Sequence, residues 1–119
     1  MNSCIHAKNY VNNTTYTIVT HMAEFPGGNI ELMKFISSNL VYPIEAKENK
    51  WEGKVFFKWT IDTLGKVSNL EVTKTSGYKI LDEEALRVMR LMPVWLPAII
   101  ENKLISQDFN YFPINFKLD

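Results

Sequence analysis

Residues 53–74 restrict the possible folds more than any other stretch, because they read as two antiparallel strands joined by a tight turn. Val55, Phe57, Trp59 and Ile61 alternate with Lys54, Lys58 and Thr60, leaving Phe56 as the one apolar residue on the second face. A period of two with one apolar face is the pattern of a half-buried strand. Asp62, Thr63, Leu64, Gly65 and Lys66 then supply a polar turn whose glycine can take positive φ, as a short hairpin loop with a bulge requires. On the return strand Val67, Leu70 and Val72 are apolar, and the alternation slips by one residue between Val67 and Leu70, which predicts a β-bulge. A lone hairpin is marginal in water, so this one needs a third strand or helices on its apolar face.

The flanking sequence offers both. Residues 30–40 place Leu32, Met33, Phe35, Ile36 and Leu40 on one helical stripe, after a turn built from Pro26, Gly27 and Gly28 with Asn29 as the expected cap. Tyr42 and Pro43 stop that helix, and residues 44–50 have room for one further turn. A second long helix is predicted over residues 81–92, with Asp82, Glu83 and Glu84 near its start, Arg87 and Arg90 near its end, and a Glu83/Arg87 pair four residues apart. Pro93 and Pro97 end it and leave Trp95 to close the core, while residues 98–107 read as a connection of mixed character.

The last strand is predicted over residues 109–118, with Phe112, Ile114, Phe116 and Leu118 on its apolar face and Tyr111, Pro113, Asn115 and Lys117 on the other. Pro113 has no N–H to give a ladder, so this strand belongs at an edge with the proline nitrogen turned away from its neighbour. The fold class that follows is α+β: two helices packed on one face of a three-stranded antiparallel sheet, in the order helix, hairpin, helix, strand. Residues 1–17 are expected to be a loosely ordered flank, with residues 16–19 either a minor strand or the end of a linker, and residues 18–119 to be the domain.

With 119 residues, 46% of them hydrophobic and 22% charged, the chain has the composition of one globular domain. Thirteen basic residues balance thirteen acidic ones, which provides no global field for nucleic acid or an anionic membrane. No apolar run approaches the ~20 residues of a membrane helix or the length of an export signal, so the chain is expected to be a piece of a longer protein or to have lost its signal. Cys4, the one cysteine, permits no internal disulfide and reads as a bystander, with His6 its only nearby candidate base. Gly27 and Gly28 before a helix have neither phosphate-loop nor dinucleotide spacing and are read as a turn. Glu83 and Glu84 diverge by about 100° on a helix and cannot easily share a substrate atom. No metal or nucleophile motif joins His6 or His21, so catalytic, cofactor and metal sites are all expected to be absent.

In combination, Phe25-Pro-Gly-Gly28, Asn39-Leu-Val-Tyr-Pro43, Gly53 and Val55 with Gly65, Asp82, Glu84 and Ala85, Met92-Pro-x-Trp-x-Pro97, and Pro113, Ile114 and Phe116 resemble the C-terminal domain of TonB proteins, in the form seen in Bacteroidetes. The resemblance spans residues 18–118. Ala98 and Glu101, Asn102 and Lys103 depart from it, standing where the family usually has a glycine and a Gly-Lys turn. It implies a non-enzymatic periplasmic domain, anchored to the inner membrane through another segment of the full-length protein. Such a domain links the proton-motive-force-driven complex to TonB-dependent outer-membrane transporters by pairing its last strand with the transporter's N-terminal peptide segment. Carried over by position, the partner-binding residues are Phe109, Asn110, Tyr111, Phe112, Pro113, Asn115 and Lys117. Tyr111 and Asn115, on the non-core face, are the expected side-chain readers. A homodimer through the same edge is the competing use of it. Two other readings are a docking or sensing domain of a membrane metallopeptidase regulator, and a small-ligand domain with a pocket near Trp51, Trp59 and Trp95.

Overall fold

Val55, Phe57, Trp59 and Ile61 are all buried, as their alternation requires, and the rest of the fold is built on that face. A computed structural model describes the backbone of residues 4–11 and 14–119 and the side chains from residue 18 onward. In chain order the elements are β1 (Cys4–Val11), β2 (Thr14–His21), α1 (Asn29–Asn39), α2 (Ile44–Glu48), β3 (Gly53–Ile61), β4 (Val67–Lys74), α3 (Lys79–Arg90), β5 (Ala98–Ile100), β6 (Lys103–Ile105) and β7 (Gln107–Phe116).

The strands form two antiparallel sheets. The first has the order β4-β3-β7, so the hairpin's first strand is central and the last strand lies at one edge. Leu81, Ala85, Val88 and Met89 of α3 are fully buried, α3 packs on β3, and α1 packs on α3 through its buried Leu32 and Ile36. Removing a side chain of this size from water stabilises by roughly 1.5–3 kcal/mol, and the continuous layer from α1 to β3 is the core.

The second sheet, β1-β2-β5-β6, was not expected. Residues 1–17 are expected from sequence as a flexible flank; in the structure Cys4–Val11 pairs along its whole length with Thr14–His21. Alternation there is hidden by polar residues: Thr15 and Thr17 suit a strand, while Asn9 is of a type depleted in strands and gives no cue. Beyond β1, β2 joins the domain through one ladder pair, His21 with Ile99, and through hydrogen bonds to the turn after β5, a narrow attachment that suits the long axis of 69 Å against 25 and 18 Å. Residues 98–107 likewise hold a hairpin in place of an irregular connection. Glu101 and Asn102, both at positive φ, make its two-residue turn, a conformation Asn tolerates in the absence of the expected glycine. The Asn102 side-chain oxygen accepts from Val19 N–H at 2.8 Å, tying this turn to β2.

Several local expectations are corrected. Asn29 is the first helical residue and not the cap; Gly28 takes that position with no side-chain hydrogen bond. Met33 is 56% exposed, so the buried stripe of α1 is narrower than its apolar content suggested. Arg87 pairs with Glu84 and not with Glu83: its Nε and Nη2 donate to the two carboxylate oxygens at 2.8 Å each, and Nη2 also donates to the Asn39 carbonyl at 2.7 Å. Glu84 accepts from Val41 N–H as well, so the pair joins α3 to the exit of α1. Asp82 accepts from Ser76 N–H at 2.9 Å and Ser76 Oγ at 2.7 Å, organising the loop before α3.

The β3–β4 turn is fixed by Asp62, whose carboxylate accepts from the N–H groups of Leu64 and Lys66 at 2.9 Å each. Gly65 has φ +85° and its carbonyl accepts from Trp95 N–H at 2.7 Å, so the hairpin tip is bonded to the segment leaving α3. A Cβ on Gly65 would lie 2.0 Å from the Trp95 carbonyl oxygen. Gly65→Ala therefore meets backbone on top of an unfavourable φ and is expected to cost about 2–4 kcal/mol, measured by urea unfolding. Hydrogen bonds from Arg87, reinforced by Val41 N–H and the Arg87 charge, hold the Glu84 carboxyl below its ordinary range. A depressed folded-state value contributes stability above the unfolded value and loses it as pH falls through the folded one. Thermal stability is expected to fall as pH is lowered below about 5, with a shallower fall in Glu84→Gln.

Candidate functional site

β7 is paired on one side only: among the described residues its whole partner is β3, from Gly53 opposite Phe116 to Ile61 opposite Gln107. The strand runs over Gln107–Phe116 and not over 109–118, so Lys117 and Leu118 lie past the ladder, where Leu118 N–H donates to Glu52 Oε2 at 2.6 Å. β7 begins two residues earlier than expected, with Gln107 in the ladder opposite Ile61 and its side-chain oxygen accepting from Ala23 N–H at 2.7 Å.

The strand is not regular. Phe109 pairs with Trp59 and Phe112 with Phe57, leaving Asn110 and Tyr111 together opposite Lys58, with Tyr111 at φ +60°. Two residues against one is a β-bulge, and it shifts the alternation by one residue. The core-facing set is therefore Gln107, Phe109, Phe112, Ile114 and Phe116. Phe109 lies parallel to Trp59 with centroids 5.2 Å apart, and Phe112 meets the same indole edge-on at 5.2 Å. Trp95 closes the cluster at 6.0 Å from Trp59 and 5.3 Å from Phe109. At the far end the Tyr42 ring stands edge-on to Phe116 at 5.5 Å, and its hydroxyl donates to the Trp51 carbonyl.

Among the residues singled out from the sequence, Phe109 and Phe112 thus turn their rings inward and have only main chain to offer at the edge. Asn110, Tyr111, Pro113, Asn115 and Lys117 are exposed, Tyr111 to 77%. Pro113 lies opposite Phe56 and Asn115 opposite Lys54. Sequence reasoning missed Gln107 as the anchor and the bulge at Tyr111; the apolar residues at 109 and 112, an odd interval apart, were the signal for the second. The bulge expected at residues 67–70 is present, with Asn69 at φ +52° and Ser68 and Glu71 paired to Thr60 and Lys58.

Among the described residues the three tryptophans line no common cavity. Trp59 and Trp95 are buried against each other, while Trp51 is half-buried and stacked on Tyr78 at 4.8 Å beside a shallow depression of about 440 Å³. Among the described residues no group of three or more His, Cys, Asp or Glu could hold a metal ion; the side chains of Cys4 and His6 lie outside them. His21 Nδ1 lies 2.9 Å from the Met22 carbonyl.

A small antiparallel α+β domain with its last strand at a sheet edge is the class that this fold defines. Residues 38–118 match the family described as the Gram-negative bacterial TonB protein C-terminal, and the chain belongs to that family. The match starts within α1, later than residue 18. It is a non-enzymatic family of transport energy transduction, and the chain is not an enzyme. A "Protein TonB" from Campylobacter coli is 31% identical over 61 residues, 51% of this chain; the chain spans only about a quarter of that relative, 26% of its length. The solution structure of a Helicobacter pylori TonB C-terminal domain, residues 179–285, superposes with a TM-score of 0.55 at 26% identity, covering 76% of this chain and 79% of that one. A shorter form of the same domain, residues 194–285, gives 0.53 at 25% identity over 74% and 90%.

Phe109→Ala removes the ring stacked on Trp59 and is expected to destabilise by about 2–4 kcal/mol in urea, with loss of near-ultraviolet tryptophan circular dichroism.

Proposed function

We propose that this chain is the receptor-docking domain of a TonB-type energy-transducing protein, working in the periplasm with its inner-membrane anchor elsewhere in the full-length protein. Its partner is a TonB-dependent outer-membrane transporter, whose extended N-terminal segment adds as a strand to the outer edge of β7. The observation that carries this reading is the one-sided pairing of β7 in a chain of this family. Main-chain hydrogen bonds supply affinity in such an addition, and side chains beside the edge supply choice.

In an antiparallel ladder the main-chain groups of successive residues point alternately to the neighbour and away from it. Pro113, with no N–H, suits the outward set, and Asn115 then carries the outward N–H and C=O of this half of the strand. Phe109, Asn110, Phe112 and Lys117 frame the edge around these outward groups, and Tyr111 and Asn115 contribute the side chains read by the guest. Residues 18–119 are the docking unit. A second copy of the chain on the same edge would compete with the transporter segment, and sedimentation at rising concentration reads that competition.

Deleting residues 110–119 is a poor test, because Ile114 and Phe116 are core residues at 2% and 1% exposure. Asn115→Pro is better, since it removes an outward N–H while leaving the side-chain layer intact. Calorimetry with a synthetic transporter N-terminal segment is expected to show binding at least about tenfold weaker than wild type, with little change in Tm. Equal affinity in the variant would remove strand addition at this edge.

A further inference from the structure

Among the described residues five non-glycines have positive φ, and four of them have a local reason for it. Lys50 follows α2, where Trp51 N–H bonds back to the Ala46 carbonyl in the manner of a helix C-terminus. Glu101 and Asn102 form the hairpin turn, and Asn69, of a type that tolerates this region, sits in the β4 bulge. Tyr111 is different. It is bulky, it occupies a bulge position that glycine or asparagine would fill with less strain, and its ring gives nothing back to the fold. The phenol makes no hydrogen bond and no ring contact with any described residue, and it is 77% exposed. Phe109 and Phe112 turn inward on either side of it, so Tyr111 is the one aromatic that β7 presents to solvent.

We infer that Tyr111 is a specificity-determining clamp: the bulge ends the pairable part of the β7 edge, a guest strand runs only beside residues 112–116, and the Tyr111 ring covers one aliphatic or β-branched side chain of that guest. This deepens the docking reading and rests on it. A bulge interrupts the ladder on its strand, so a guest cannot keep register past Asn110 and Tyr111. Next along the strand stands Pro113, exposed and opposite the half-buried Phe56, whose ring lies 5.7 Å from Lys74 Nζ. A tyrosine face and, two residues on, an exposed prolyl ring each offer dispersion contact and few polar groups, which favours an apolar guest side chain over a polar one.

The test uses the whole chain and, as probe, a fluorescein-labelled synthetic N-terminal segment of an outer-membrane transporter from the same bacterium. Tyr111→Gly suits the positive φ and removes only the ring; it is expected to weaken binding about tenfold while Tm stays level or rises. Alanine scanning of the probe is expected to find one apolar position that matters about fivefold in wild type and not at all in Tyr111→Gly, the signature of direct contact in a double-mutant cycle. Tyr111→Asn, also compatible with positive φ, checks the backbone. Affinity within about twofold of wild type in Tyr111→Gly overturns the clamp, as does a Tm drop of more than about 5 °C in both variants, which makes Tyr111 structural. If wild type itself binds no probe, strand docking fails and the clamp with it. A clamp failure alone leaves wild-type binding intact, so the two are told apart.

Discussion

The contact of Trp59 with Phe109 and Phe112 is the constraint on which the rest depends. It seats the last strand against the central one on both sides of a bulge, so an irregular strand keeps a continuous apolar face. Without it the two halves of β7 would have independent registers, and Ile114 and Phe116 would lose the alignment that buries them. Trp95 joins the same cluster, which brings the segment after α3 and, through the Trp95 N–H bond to Gly65, the tip of the β3–β4 hairpin into one packing unit. The cluster also has a cost. The indole nitrogens of Trp59 and Trp95 are buried and have no hydrogen-bond partner among the described residues, each an unfavourable term of about 1–3 kcal/mol that the aromatic burial offsets.

The three-stranded sheet and its two long helices were legible because their cues are local and agree with one another. Val55 to Ile61 alternate without a break, Asp62 and Gly65 have the turn chemistry the hairpin needs, and α3 shows both charge bias and helical spacing. The second sheet was not legible. Its strands β5 and β6 have three residues each, β2 carries threonine at four of its eight positions, and the step that joins the two hairpins, His21 opposite Ile99, lies between residues distant in sequence. Helix capping at Asn29 and the Glu83/Arg87 pair failed for a related reason. Spacing alone permits several partners, and Glu84 prevails because it also meets the Val41 N–H, which no helix periodicity contains.

The edge site was half legible. Pro113 marked the strand as peripheral, and the alternation after Phe112 assigned Pro113 and Asn115 to the exposed side. Before Phe112 the same period, run backwards, puts Tyr111 in an ordinary outward position and Phe109 outward with it. Packing reverses this. Two large rings on one indole outweigh the strain of one residue at positive φ, so Phe109 faces inward and Tyr111 absorbs the extra residue. Sequence periodicity cannot weigh those two terms against each other.

The pairing of β7 with β3 extends from Gly53 to Ile61, the full length of the central strand. Tension applied along β7 therefore meets its rungs in shear, many at once, and not one after another as in peeling a zipper. A guest lying alongside would be held in the same loading geometry, so the resistance of the joint to force is set by the direction of pull as well as by the number of its bonds.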